Sequence, residues 1–181
     1  MIEVSKNPSN ENIRGIDKNL DQIEKAKTNL TRMGMNPGVV VQQDFLEWSA
    51  TGDFQPNKIL IDAPCSGLGI LRKYPEGKLH KKPNLIPQMA KIQRLLIEHG
   101  VRSLPKGGRM VYSVCSFEPE ELFDHLVWIK KEFADEVSVL SPLPHLPNYY
   151  KKYVTKQNIF FVMCGNQDKM DGFSAFILQK N

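Results

Sequence analysis

The chain has 181 residues, 41% of them hydrophobic and 24% charged, with 24 Lys and Arg against 20 Asp and Glu. That is the composition of an ordinary soluble globular protein, with one domain's worth of chain and material for a substantial core. No apolar run approaches the roughly 18 residues of a membrane span, and the opening Met1-Ile-Glu-Val-Ser-Lys-Asn-Pro lacks the basic start and apolar stretch of a secretory signal.

Ile13-Arg-Gly-Ile-Asp17 reads as a short strand ending on an acid, and Leu20, Ile23, Lys27, Leu30 and Met33 follow at helical spacing with Gly34 as the stop. Val39-Val-Val41 is a second strand just before Asp44-Phe45, and a polar loop containing Gly52, Pro56 and Asn57 follows. Lys58 to Ile61 is a third strand, closed by Asp62-Ala-Pro64, and the stretch from Ser66 to Pro87 reads as irregular. Met89, Ile92, Leu95, Leu96 and Leu104 mark a helix stopped by Pro105-Lys-Gly-Gly108. Met110 to Val114 is the strand that carries Cys115, and Pro119 opens a helix whose apolar face is Leu122, Phe123, Leu126, Val127 and Phe133. Val137 to Leu140 is a further strand, and Ile159 to Met163 and Phe173 to Leu178 form a closing pair joined by a polar turn.

Strands alternating with helices of about 15 residues predict an α/β fold with a mostly parallel sheet, and the closing pair predicts an antiparallel strand near the C-terminus. With no internal repeat, low-complexity tract or linker, residues 1–181 read as a single domain. Asp17, Asp44 and Asp62 each follow an apolar run, and in such a sheet they line one edge, where open α/β sheets bind ligands. Each of them alone also fits a helix cap or a turn.

Cys65 and Cys115 stand 50 residues apart, each just past a short apolar run, in Lys58-Ile-Leu-Ile-Asp-Ala-Pro-Cys-Ser-Gly-Leu-Gly69 and Gly108-Arg-Met-Val-Tyr-Ser-Val-Cys-Ser116. The three cysteines form no Cys-x-x-Cys pair, which argues against a disulfide framework or a metal site and for a reducing, cytoplasmic home. Cys164 has no motif around it and reads as a small apolar side chain. His80, His99, His125 and His145 share no metal-like spacing and read as solvent-facing or capping residues.

These residues resemble the Nol/Nop/Sun family of RNA 5-methylcytosine methyltransferases, which includes bacterial Sun-type ribosomal RNA enzymes. The matching pieces, in order, are Gly15-Ile-Asp17, Asp44-Phe45, Asp62-Ala-Pro-Cys-Ser-Gly-Leu-Gly69, the block from Leu104 to Ser116, Pro119-Glu-Glu121 and Met170-Asp-Gly-Phe173. The resemblance implies a Rossmann-like fold, S-adenosylmethionine as donor and an rRNA or tRNA cytosine as target. It makes Cys115 the nucleophile that adds to carbon 6 of the base and Cys65 the residue that assists product release. It makes Asp17 the acid that binds the cofactor ribose, Asp44 the next cofactor acid, and Asp62 the acid beside the methionine moiety and the target base.

Physical reasons stand beside these placements. Carbon 5 of cytosine is too electron-poor to attack a sulfonium methyl until a thiolate has added to carbon 6. A carboxylate accepts both ribose hydroxyls; Pro64 makes a stiff exit after Asp62; and Gly67 and Gly69 permit close approach of a ligand or RNA backbone. Arg72, Lys73, Lys78, Lys81 and Lys82 follow the Cys65 loop, placed to hold RNA phosphates around a splayed base, although such a run also fits a solvated loop. Tyr149, Tyr150, Lys151, Lys152 and Tyr153 repeat that mixture as a weaker candidate. The net charge of +4 is compatible with RNA without requiring it.

The chain departs from the family pattern at its start. The family's first strand and its glycine-rich cofactor loop, of the type Ala-Pro-Gly-Gly-Lys-Thr, have no counterpart in the sequence. The expectation is therefore a C-terminal portion of a catalytic domain lacking the first strand, with an inactive RNA-binding remnant as the alternative. Leu79, Leu122 and Ser174 replace residues common in the family without removing a group from the chemistry.

Overall fold

The computed structural model describes residues 13–51, 55–80, 82, 84–165 and 167–181. The chain divides into two compact units after Gly52.

The first unit holds β1 (Gly15–Asp17), α1 (Leu20–Arg32), β2 (Val40–Gln42) and α2 (Phe45–Thr51). β1 and β2 pair in parallel, with Asp17 opposite Gln42. Asn19 starts α1 by accepting the Asp21 N–H on its side-chain oxygen at 2.9 Å, and Ile23 and Leu30, two turns apart, are buried. The helix α2 falls where the sequence reads as a polar loop. Asp44 nucleates it by accepting the Leu46 N–H at 2.9 Å, and Trp48 buries its only large side chain beyond the first turn. Seven residues are too few for a helical period to register.

The second unit holds β3 (Lys58–Asp62), α3 (Gly77–His80), α4 (Leu85–Ser103), β4 (Arg109–Val114), α5 (Phe123–Glu132), β5 (Val137–Leu140), β6 (Phe160–Val162) and β7 (Phe173–Lys180). Its sheet runs β3-β4-β7-β5, and β6 also pairs with β7. β3 and β4 are parallel, whereas β7 is antiparallel to β4, β5 and β6. One reversed strand near the C-terminus is the expected pattern. This is a Rossmann-like α/β sheet, parallel across β3 and β4 and reversed at β7.

α4 begins two residues before Pro87, earlier than the sequence reading, because a proline in the first helical turn removes an N–H that has no partner there anyway. Its buried face is Gln93, Ile97, Gly100 and Val101, and Leu95 is exposed. On α5, Val127 points to solvent, and the buried face runs through Leu122, His125, Leu126 and Ile129. His125 is thus a core residue rather than a solvent-facing or capping one. Met110, Tyr112 and Val114 of β4 meet Phe176 and Leu178 of β7 in the core, and Tyr112 stacks on Phe176 with ring centroids 4.9 Å apart. Among the described residues, no helix is long and apolar enough to cross a membrane.

Candidate active site

The register of β3 and β4 decides where the thiols go. Asp62 lies opposite Ser113, the Ala63 N–H donates to the Ser113 carbonyl at 2.9 Å as a last rung, and both strands then run out in the same direction. Pro64, with no N–H, ends the ladder. Cys65 and Cys115 leave adjacent strand ends and meet with their sulfurs 3.2 Å apart. All three cysteines are free and half-buried.

The two thiols are not equivalent. The hydrogen bond to Cys115, then burial, push the Cys65 thiol well above its ordinary value, so it keeps its proton and donates it. That bond draws the Cys115 thiol down to about 7, against burial and the Asp62 charge, which act upward. The pair therefore holds one thiol and one sulfur poised to be a thiolate near neutral pH, the form that attacks an electrophile.

Each cysteine is followed by a serine, and those serines face the opposite way, into the core. The Ser66 and Ser116 hydroxyls lie 3.2 Å apart. Ser66 donates its N–H to Glu121 Oε1 at 2.7 Å and its O–H to Glu121 Oε2 at 2.6 Å. Gln93 donates from Nε2 to the Pro64 carbonyl at 2.8 Å and to Glu121 Oε1 at 3.1 Å. With its amide oriented by those two bonds, Gln93 accepts on Oε1 from His125 Nε2 at 2.9 Å, which fixes the His125 proton on Nε2. His125 Nδ1 is buried without a hydrogen-bond partner among the described residues. Burial, then the nearby Arg94 charge, hold His125 down at about 4, so it is neutral at pH 7.

The glycines of the Cys65 loop have different reasons. Gly67 takes φ +64°, the left-handed conformation that opens the turn Leu68–Ile70. Gly69 is buried against the protein's own backbone rather than left open to a ligand: its N–H donates to the Cys115 carbonyl at 3.0 Å, and its carbonyl accepts the Gly172 N–H at 2.7 Å. A Cβ on Gly69 would stand 2.2 Å from the Gly172 oxygen. The Asp171-Gly172 pair therefore joins the site by packing on the Cys65 loop.

Asp62 is exposed and accepts the Ser113 hydroxyl on Oδ1 at 3.3 Å. In the first unit, Asp17 Oδ1 accepts the Asn19 N–H at 2.7 Å and Asp44 Oδ1 accepts the Leu46 N–H at 2.9 Å. Both are thus turn or cap residues, yet each keeps a second carboxylate oxygen without a partner among the described residues, which suits an acceptor for ribose hydroxyls.

Of the basic run, Arg72, Lys73, Lys78 and Lys82 are exposed, and Lys81 lies outside the described residues. Arg72 pairs with Asp171 at 3.3 Å, and the Lys73 ammonium stands 5.3 Å from the Tyr74 ring centre. In the second cluster, which lies in the turn Asn148–Tyr153, Lys152 pairs with Asp168 at 2.5 Å and leans on the Tyr149 ring.

Sequence reasoning did not find Gln93, His125 or the serine pair. The signals were a polar residue in phase with Ile97, Gly100 and Val101, a histidine in phase with Leu122 and Ile129, and a serine after each cysteine.

The sequence matches the family described as 16S rRNA methyltransferase RsmB/F over residues 1–178. Ribosomal RNA small subunit methyltransferase F of Escherichia coli O157:H7 is 30% identical over 159 residues, which is 88% of this chain and 33% of that protein. Among solved structures, PH0851 superposes with a TM-score of 0.78 at 24% identity, covering 91% of this chain and 36% of the other. NSun6 from Pyrococcus horikoshii, crystallised with SFG, gives 0.71 at 24% identity, covering 91% and 40%. The chain thus spans about a third of the length of the curated relative. These matches bear out the family resemblance read from the cysteine motifs.

Proposed function

The chain belongs to the RsmB/F family of 16S rRNA methyltransferases, and on that premise we propose that it methylates carbon 5 of a cytosine in rRNA or tRNA through a covalent bond to Cys115. The observation that carries this reading is the 3.2 Å contact between the sulfurs of Cys65 and Cys115 at the ends of adjacent parallel strands.

In this reading the Cys115 thiolate adds to carbon 6 of the ring, forming the S–C6 bond and making carbon 5 a nucleophile. S-adenosylmethionine, when bound, supplies an electrophilic methyl on a sulfonium. A base then takes the carbon 5 proton, the freed pair restores the C5–C6 double bond, and the S–C6 bond breaks to return the thiolate. Cys65, which carries the proton of the thiol pair, assists that release. Asp62 is the acid assigned to the target base, and Asp17, Asp44 and Asp62 are those assigned to the cofactor.

Because a stacked cytosine hides its reactive face, the target is single-stranded or flipped out, and Arg72, Lys73, Lys78, Lys81 and Lys82 are assigned to its phosphates. The same reading makes residues 1–181 part of one catalytic domain working in the cytoplasm.

The test is trapping on RNA that contains 5-fluorocytosine, with S-adenosylmethionine present. An adduct that survives denaturation, disappears in Cys115→Ala and persists in Cys65→Ala supports the reading. The opposite pattern reverses the two roles. RNA binding with no adduct, in this chain and in a longer protein carrying it, makes the chain an RNA-binding remnant and overturns the proposal.

A further inference from the structure

Beneath the thiols lies a set of buried polar side chains that the chemistry above does not use. Ser66, Gln93, Ser116, Glu121 and His125 are all buried, and a buried polar network is tolerated only when its members satisfy one another. Removing Glu121 or Gln93 from it would take a partner from the Ser66 N–H or the Pro64 carbonyl, a cost in hydrogen bonding, so a network tied to the backbone on either side of Cys65 needs a reason.

Its geometry supplies one. Cys65 sits in the middle of a tripeptide held on both sides. The Pro64 carbonyl before it accepts from Gln93 at 2.8 Å; the Ser66 N–H and O–H after it both go to Glu121, at 2.7 and 2.6 Å. Glu121 lies on the chain that leaves Cys115, in the turn Pro119–Glu121, and its own backbone is fixed because its carbonyl accepts the Tyr112 hydroxyl at 2.9 Å. One carboxylate therefore fastens the segment after the first cysteine to the segment after the second.

We propose that Glu121 is the positioning residue of this site, holding the loop of Cys65, with Gln93 as its second contact, at the distance where the Cys65 thiol hydrogen-bonds to Cys115. Among the described residues no hydrogen bond joins Glu121 to either sulfur, and its influence runs through Ser66 and, by way of Gln93, through Pro64. Its charge works in the other direction: it raises both thiols. A residue kept for its charge would thus make Cys115 a poorer thiolate, whereas one kept for its bonds makes it a better one. The groups facing Cys115 are Cys65, Asp62 and Glu121, and only the Cys65 bond among them acts downward.

This role deepens the methyltransferase reading, but it is tested on the thiols themselves, so its outcome does not depend on methyl transfer. The full chain is alkylated with iodoacetamide across pH 5–10, and Cys65, Cys115 and Cys164 are followed separately by mass spectrometry. In the parent, Cys115 titrates near 7 and Cys65 stays unreactive. In Glu121→Ala the loop is released, so the Cys115 midpoint rises by at least about one unit while that of Cys65 falls, and the two converge near the ordinary thiol value of about 8.5. A general loosening of the fold would instead speed Cys164 as well.

Glu121→Gln keeps an oxygen for the Ser66 and Gln93 N–H groups and an amide for the Ser66 hydroxyl. It leaves the Cys115 midpoint at or below that of the parent. If Glu121→Ala does not fold, Ser66→Ala gives the same convergence in smaller measure. A folded Glu121→Ala, or Ser66→Ala in its place, with the parent's two profiles overturns the proposal. So does a Glu121→Gln that shifts Cys115 upward as far as Glu121→Ala does.

Discussion

Gly69→Ala tests whether the Cys65 loop closes on the Asp171-Gly172 segment. The new Cβ would meet the Gly172 oxygen at 2.2 Å, its carbonyl carbon at 2.7 Å and the Cys115 oxygen at 2.8 Å, where ordinary contact begins near 3.4 Å. All three are backbone atoms, so no side chain can swing away and a peptide must retreat by about 1 Å. Overpacking of that kind costs about 1–3 kcal/mol. The retreat also stretches the two hydrogen bonds across the contact, from Gly69 to Cys115 and from Gly172 to Gly69, at about 1 kcal/mol each. The sum, roughly 3–5 kcal/mol, is a large part of a domain's stability and corresponds to a melting temperature lower by about 10 °C. Thermal unfolding followed by circular dichroism reads it. A variant that melts within about 2 °C of the parent, with the parent's thiol reactivity, would show that the loop does not make this contact.

Cys65→Ala removes the largest cause that lowers the Cys115 thiol and leaves burial and the Asp62 and Glu121 charges acting upward against the backbone hydrogen bond at Cys115, so its midpoint rises from about 7 to the ordinary value or above. The thiolate fraction at pH 7 then falls from about half to about 3% or less, and an alkylation profile measures it. His125 is held neutral at about 4 against 6.5 for an exposed ring, so folding stability is full above pH 6.5 and declines as pH falls toward 4. The difference is worth about 3 kcal/mol; His125→Gln should flatten that part of the stability-versus-pH curve measured by urea unfolding. Arg72→Ala breaks an exposed ion pair and should change stability by less than about 1 kcal/mol. Its effect should appear instead in RNA affinity, with the salt slope reduced by about one, and an unchanged slope would remove Arg72 from the RNA contacts.

The strands and long helices of this fold are legible because their apolar residues repeat with a clear period, as in α1 and in the run from Met110 to Val114. The helix α2 is not, since one capping aspartate and one tryptophan carry it. Val127 and Leu95 mislead for a different reason: an apolar side chain on a helix is counted toward the face before the polar residues that share the core are known. Gln93 and His125 hold those core positions because each satisfies a partner, a fact of three-dimensional proximity that spacing cannot express. The cysteine pair was legible as two motifs on strand ends. That Gly69 is small to accommodate Gly172, 103 residues later in the chain, was not.

The acidity of Cys115 has an unusual source. Reactive thiols are commonly lowered by a cation or a helix N-terminus, but the charged side chains acting on Cys115 are Asp62 and Glu121, and both oppose ionisation. The lowering side-chain interaction is the hydrogen bond from Cys65 at 3.2 Å. A hydrogen bond to a thiolate falls away steeply with distance and angle, whereas the two negative charges act over a longer range and persist if the loop moves. A displacement of the Cys65 loop by about 1 Å therefore does more than weaken a favourable contact, because it leaves the unfavourable ones in place. The sheet register, the Gly69–Gly172 closure and the grip of Glu121 and Gln93 all bear on that one separation. In the proposed mechanism Cys65 thus acts on Cys115 before any product exists to be released.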